Sequence, residues 1–175
     1  MIDDVDRKIL RALQFDARIS NVSLAEKVGL SATPCWNRVR ALEAKGVIEG
    51  YVTIIQHAAL GYPVTVIVEV GLERHNDAAF EQFEAELTKL TEVIEAHRVT
   101  GEYDYLLKVA VAGAEGCERF LRQRLHAISG IRGSRASFVL KPLKLPHFLH
   151  LGDPNLTGPK VDSKEKRARD DQGSM

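Results

Sequence analysis

Val99-Thr100-Gly101-Glu102-Tyr103-Asp104-Tyr105-Leu106-Leu107 is the stretch whose reading decides the fold. A β-prone run, Val93 to Thr100, ends on a turn composition, Gly101 to Asp104. Tyr105, Leu107, Val109 and Val111 then alternate, the period of a strand with one buried face. The turn therefore predicts a hairpin. Upstream, Phe80, Phe83, Leu87 and Leu90 are spaced for a helix, and Val64, Val66, Val68, Val70 and Leu72 alternate as a strand before it. Downstream, Cys117, Phe120, Leu121, Leu125 and Ile128 predict a second amphipathic helix, and Ala136, Phe138 and Leu140 a last strand. The order is β-α-β-β-α-β, which predicts a ferredoxin-like α+β unit over residues 64–145.

Both helices of such a unit cover one sheet face. The other face carries Ile67, Leu106, Ala110 and Val139 among Glu69 and Lys108. That face is apolar enough to predict packing against the same face of a second subunit; a half-solvated sheet is the alternative.

Residues 1–50 read differently. Val5, Ile9, Leu10 and Leu13 make one helical stripe, with Asp3, Asp4 and Asp6 at its N-terminus, where the helix dipole favours negative charge. A second helix is predicted from Ser23, where Ser23 and Glu26 have capping-box spacing, to a stop at Gly29. A third starts near Ser31 or Thr33, since Pro34 fits only in a first turn. Its buried stripe is Cys35, Val39 and Leu42. A tight bend at Gly29-Leu30-Ser31 between the second and third helices is helix-turn-helix geometry, which lets the third helix enter a DNA major groove. Its other faces carry Thr33, Trp36, Asn37, Arg38 and Arg40. Arg pairs with guanine and Asn with adenine in bidentate fashion. Ser31, Thr33 and the helix start can hold phosphate, with Arg18 as a further cation. Arg38 is equally suited to an internal salt bridge with an acid of the first helix, whereas Trp36 is placed at the surface, a core position being its alternative. Val47 to Ile55 reads as a strand or small wing, and 51–63 as a linker strand and loop. From residue 146 to 175 prolines and charge predict an extended, partly disordered tail.

Several short motifs, in fixed order, resemble one family. Asp6-Arg7-Lys8-Ile9-Leu10, Arg18-Ile19-Ser20, Val28-Gly29-Leu30-Ser31, Thr33-Pro34-Cys35, Arg38-Val39 and Gly46-Val47-Ile48 resemble the N-terminal half of the Lrp/AsnC regulators, and Val99 to Leu107 resembles their second half. The resemblance covers about residues 2–145. It implies a winged helix-turn-helix, with Pro34 inside the reading helix, followed by a RAM/ACT-like ferredoxin-like domain that binds an effector and assembles the oligomer. It implies double-stranded DNA as partner, an amino acid as effector, and a homodimer assembling to a tetramer or octamer. It also implies an effector site at Val99, Thr100, Gly101, Tyr103, Asp104 and Tyr105.

The chemistry of that stretch suits a zwitterion. Asp104 can accept an ammonium group, while the amides near Gly101 and the Thr100 hydroxyl can donate to a carboxylate. Ser134 and Ser137 are weaker additions, and Tyr105, on the face of Leu107 and Val109, can equally be core.

Composition narrows the remaining classes. The chain has 175 residues, 45% of them hydrophobic, with 24 basic and 24 acidic residues. A zero net charge speaks against a nonspecific architectural DNA protein, whose affinity comes from phosphate neutralisation. A metabolite-binding protein whose helices serve only assembly is the other alternative. Cys35 and Cys117 form no C-x-x-C, and no P-loop, G-x-S-x-G or G-x-G-x-x-G occurs. No metal site, no cofactor and no enzymatic activity are expected, although His147 and His150 lie close together in the tail. The acidic N-terminus and interrupted apolar runs predict neither a signal peptide nor a membrane span, hence a cytoplasmic protein; the resemblance implies a bacterial one, nucleoid-associated when bound to DNA.

Overall fold

The structure is a computed structural model that describes residues 2–143. The expected tail and the His147/His150 pair lie outside the described residues. The chain divides into two compact units, one ending at Thr53 and the other running from Ile54 to Lys141.

The first unit holds helices α1 (Asp4–Phe15), α2 (Asn21–Val28) and α3 (Ala32–Ala44). Ile9, Ala12, Leu24, Ala25, Val28, Cys35 and Leu42 bury one shared core, with Val39 packed at its margin. Asp3 and Asp6 cap α1 reciprocally, the Asp6 N–H donating to Asp3 Oδ1 at 2.8 Å. The second helix begins earlier than its capping-box spacing predicts. Ser20 is the cap, and its Oγ accepts the Ser23 N–H at 3.1 Å. Ser23 is thereby taken into the helix as the residue whose N–H the cap satisfies. Gly29 stops α2 in the left-handed region, φ 78°, and the Leu30 N–H closes on the Ala25 carbonyl at 2.9 Å. Asn21 Nδ2 donates to the Ala32 carbonyl at 2.8 Å, tying the start of α2 to the first turn of α3.

The wing expected over 47–55 is not a strand. Among the described residues, 47–56 pair with no other strand. A β-prone segment needs a ladder partner to become a strand, and within one chain none lies beside it. Tyr51 instead donates its hydroxyl to Glu43 Oε1 at 3.0 Å, and Val52, Ile54 and Ile55 are exposed. A 3-10 turn, His57–Leu60, occupies the linker.

The second unit holds β1 (Val64–Leu72), α4 (Asp77–Leu87), β2 (Val93–Arg98), β3 (Tyr105–Val111), α5 (Gly113–Arg119) and β4 (Ile131–Phe138). All neighbouring strands are antiparallel in the order β2-β3-β1-β4, the ferredoxin-like arrangement expected. Val66, Val68, Val70, Leu107 and Val109 point to the helix side and bury with Phe83, Phe120 and Leu125. Two boundaries differ from the periodic reading. The second amphipathic stretch is not one α-helix: α5 passes into a π-helical turn over Phe120–Leu125, which keeps Phe120 and Leu125 buried. Leu140 lies beyond β4 and is 98% exposed, so the apolar alternation runs past the end of the strand.

The register fixes the outer sheet face. Ile67 pairs opposite Lys108 and Ser137, and Glu69 opposite Leu106 and Arg135. Ile67, Leu106 and Val139 are half-buried on that face within one chain, between the Glu69–Arg135 pair at 2.6 Å and the Glu95–Lys108 pair at 3.4 Å.

Candidate functional site

Two constellations carry polar side chains suited to recognition, one in each unit. The first is the outward face of α3. Cys35 and Leu42 are locked in the core, so the helix must present Thr33, Trp36, Asn37 and Arg40 on the opposite stripe. All four are exposed; Trp36 is 52% exposed, which places it on the surface rather than in the core. Arg40 stands over the Trp36 ring at 5.6 Å and meets Glu43 at 3.4 Å. Ser31 caps α3 without a side-chain hydrogen bond, so its hydroxyl is not used up by the cap. Pro34 sits in the first turn and is exposed, as is Arg18, whose backbone N–H donates to Asp16 Oδ1 at 2.9 Å.

Arg38 does not join this stripe. Its guanidinium donates to Asp3 Oδ2 at 2.7 Å and Asp6 Oδ1 at 2.8 Å, so the internal salt bridge is the arrangement adopted. The Asp6 N–H, and next Arg38, hold the Asp3 carboxyl below the usual carboxylate range. Arg38 fastens α3 to the N-terminus of α1, where carboxylates also gain from the helix dipole.

The second constellation is the turn between β2 and β3. Val99, Thr100 and Gly101 are exposed, and Gly101 takes φ 134° with open space where a side chain would project. Asp104 is turned inward. Its Oδ2 accepts the Leu72 N–H at 2.7 Å, and His75 Nε2 lies 3.1 Å from Oδ1 and 3.2 Å from Oδ2. The Val99 N–H donates to the Asp104 carbonyl at 2.8 Å, closing the hairpin.

Tyr105 is core and not a surface ligand group. It is 2% exposed, packs on Phe80 and Phe83, and donates its hydroxyl to Glu84 Oε1 at 2.8 Å. Burial, with Glu84 second, pushes its phenol well above the ordinary value. Ser134 is engaged by His126 Nε2 at 2.8 Å, and Ser137 is exposed on the outer sheet face, opposite Ile67.

Several residues near the turn had no local sequence signal. Arg132 Nη2 donates to the Glu102 carbonyl at 3.0 Å, Arg135 lies 5.5 Å from the Tyr103 ring centroid, and Arg98 stacks on Phe80 at 3.4 Å. With His75, these cations gather at the turn only through the strand register, which sets Val70 opposite Tyr105 and Ser134. A cationic rim beside one inward carboxylate suits a small ligand bearing both charges. Among the described residues, no three His, Cys, Asp or Glu side chains come together as a metal site, and no helix is long and apolar enough to cross a membrane.

Known proteins match both halves. Residues 2–49 match the winged helix-turn-helix DNA-binding family, and residues 65–146 the Lrp/AsnC ligand binding domain. The chain is 41% identical over 150 residues to the leucine-responsive regulatory protein of Haemophilus influenzae, across 86% of this chain and 90% of the relative. A transcriptional regulator of Neisseria meningitidis, solved as an L-Met complex, superposes with a TM-score of 0.80 at 31% identity, over 85% of this chain and 97% of that one. The feast or famine regulatory protein of M. tuberculosis, complexed with L-methionine, gives a TM-score of 0.76 at 32% identity, over 85% and 99%.

Proposed function

Because this chain belongs to the Lrp/AsnC family of DNA-binding transcriptional regulators with an amino-acid ligand-binding domain, we propose that it reads a specific DNA site through α3 and adjusts that binding to an amino acid. The observation that carries the reading is the exposed stripe Thr33, Trp36, Asn37 and Arg40, set opposite a buried helix face. Asn37 and Arg40 supply base-edge donors, and Trp36 supplies an apolar plane for a thymine methyl or sugar. Ser31, Thr33 and Arg18, with the N–H groups at the helix start near Pro34, hold phosphate. Arg38 serves this helix as its tether to α1 and not as a base reader.

The effector site is the turn Val99, Thr100, Gly101, Tyr103 and Asp104. The ligand's carboxylate meets the Thr100 hydroxyl and the amides near Gly101, and its ammonium meets Asp104. L-Methionine, bound by two structural relatives, is the first ligand to try. Subunits pair through the outer sheet face of Ile67, Leu106 and Val139 into a homodimer, which assembles further to a tetramer or octamer. The partners are double-stranded DNA and the effector, with no cofactor and no metal. The place of action is the cytoplasm, on the nucleoid.

Titration of the purified protein on its own upstream DNA against random DNA of equal length, with and without L-amino acids, tests this. Preferential binding shifted by one amino acid is the expected result. Equal, weak binding to both DNAs, unmoved by any amino acid, would return the chain to the metabolite-binding or architectural alternatives.

A further inference from the structure

Asp104 is the anion assigned to the effector's ammonium, yet in this structure a cation-forming side chain already stands on it. His75 Nε2 lies 3.1 Å from one carboxylate oxygen and 3.2 Å from the other. The Leu72 N–H takes Oδ2 from the strand side at 2.7 Å. The Asp104 side chain is only 17% exposed, while that of His75 is 55% exposed. The protein therefore holds the carboxylate from behind through β1 and meets its outer side with the more exposed His75 ring. His75 touches Phe80 edge-on, and Arg98 covers Phe80 at 3.4 Å. The charged groups around His75 are Asp104 on the turn, Arg98 on β2, Glu84 on α4 with the Tyr105 hydroxyl on its carboxylate, and its chain neighbours Arg74 and Asp77.

The geometry points to His75 as a built-in competitor for the effector. A protonated imidazole and an alkylammonium need the same partner, one carboxylate at hydrogen-bond distance. Entry of the ammonium displaces His75 from Asp104. The imidazolium, deprived of its counter-charge, gives its proton to solvent: carboxylate–imidazolium pair plus ammonium becomes carboxylate–ammonium pair, neutral imidazole and a free proton. Histidine changes charge between about pH 5 and 8. Effector affinity therefore rises with pH across that window, and binding releases a proton at its lower end. The step rests on the effector-site reading above and adds to it a coupling between amino-acid response and pH.

Calorimetric titration of L-methionine into the full chain, at about pH 6 and about pH 8, tests it. Runs at the lower pH use two buffers of different ionisation enthalpy, with wild type and His75→Asn side by side. Asn cannot become a cation and sits at an exposed position, so the fold is kept. Wild type is expected to bind roughly fivefold tighter at the higher pH, the scale of a half-exposed ion pair, with proton release at the lower one. His75→Asn should bind tighter than wild type at the lower pH, lose the pH dependence and release no proton. A pH dependence unchanged in His75→Asn, or weaker binding by that variant at both pH values, overturns the competitor role and leaves the effector site standing. No binding of L-methionine or any other common L-amino acid to wild type at either pH overturns the effector-site reading and the competitor role together.

Discussion

The outward stripe of α3 and the turn between β2 and β3 differ in how their polar groups are employed. On α3 the core takes Cys35 and Leu42 from one side, and Trp36, Asn37 and Arg40 project into solvent. At the turn, the Asp104 carboxylate accepts from Leu72 and meets His75, and Tyr105 is buried with its hydroxyl on Glu84. A surface for a large, rigid, polyanionic partner can be presented ready-made, since the partner brings its own charge and shape. A pocket for a small zwitterion must release internal bonds as it fills. The ligand then shifts an equilibrium by its differential affinity for the two states.

The largest expected effect is on α3. Arg40→Ala should weaken binding to the chain's own upstream DNA by about 1–3 kcal/mol, roughly five- to 150-fold, the worth of a good bidentate base contact. Electrophoretic mobility shift against random DNA checks it, and equal losses on both would make Arg40 a phosphate contact. At the turn, Asp104→Asn should lower L-methionine affinity by about tenfold, because a charge-assisted hydrogen bond becomes a neutral one. The Leu72 N–H keeps an oxygen acceptor in that variant, so a normal thermal midpoint with lost effector binding is the diagnostic pair.

Arg38→Ala should lower the thermal midpoint of the N-terminal unit modestly. The Asp3 carboxyl is held below its ordinary value, first by the Asp6 N–H and then by Arg38. A lowered carboxyl stabilises the fold above its unfolded value, about pH 3.9, and that contribution fades as pH falls through the lowered one. Wild-type and Arg38→Ala midpoints should therefore converge in acid; a gap that widens there would contradict the pairing. The smallest effect is at Tyr105. Tyr105→Phe removes one hydrogen bond, costing about 0.5–1.5 kcal/mol of stability, and leaves L-methionine affinity unchanged. A large loss of affinity would put Tyr105 back among the ligand residues.

The fold was legible wherever a single period ran long enough. Val64 to Leu72 and Tyr105 to Val111 alternate cleanly, and both became strands. Competing local signals were harder. The Ser23/Glu26 spacing pointed to a cap at Ser23, but the Ser23 N–H is bound by Ser20, a hydrogen bond that spacing alone does not reveal. Val47 to Ile55 has the composition of a strand, but a strand is a paired object and no strand among the described residues pairs with it. At the sites, the exposed stripe of α3 followed from helical spacing, and Trp36 was rightly placed at the surface. Arg38 could not be assigned from spacing, because Asp3 and Asp6 come near it only when α1 and α3 pack. His75 carried no signal at all, since its link to Asp104 depends on where β1 ends beside β3.

The most direct measurement compares Arg40→Ala with Arg38→Ala on the chain's own upstream DNA and on random DNA, in one titration series at fixed salt. Arg40→Ala is expected to lose discrimination between the two DNAs, while Arg38→Ala loses a little affinity on both equally. Discrimination that survives Arg40→Ala and collapses with Arg38→Ala would contradict the assignment of reading and tethering roles on α3.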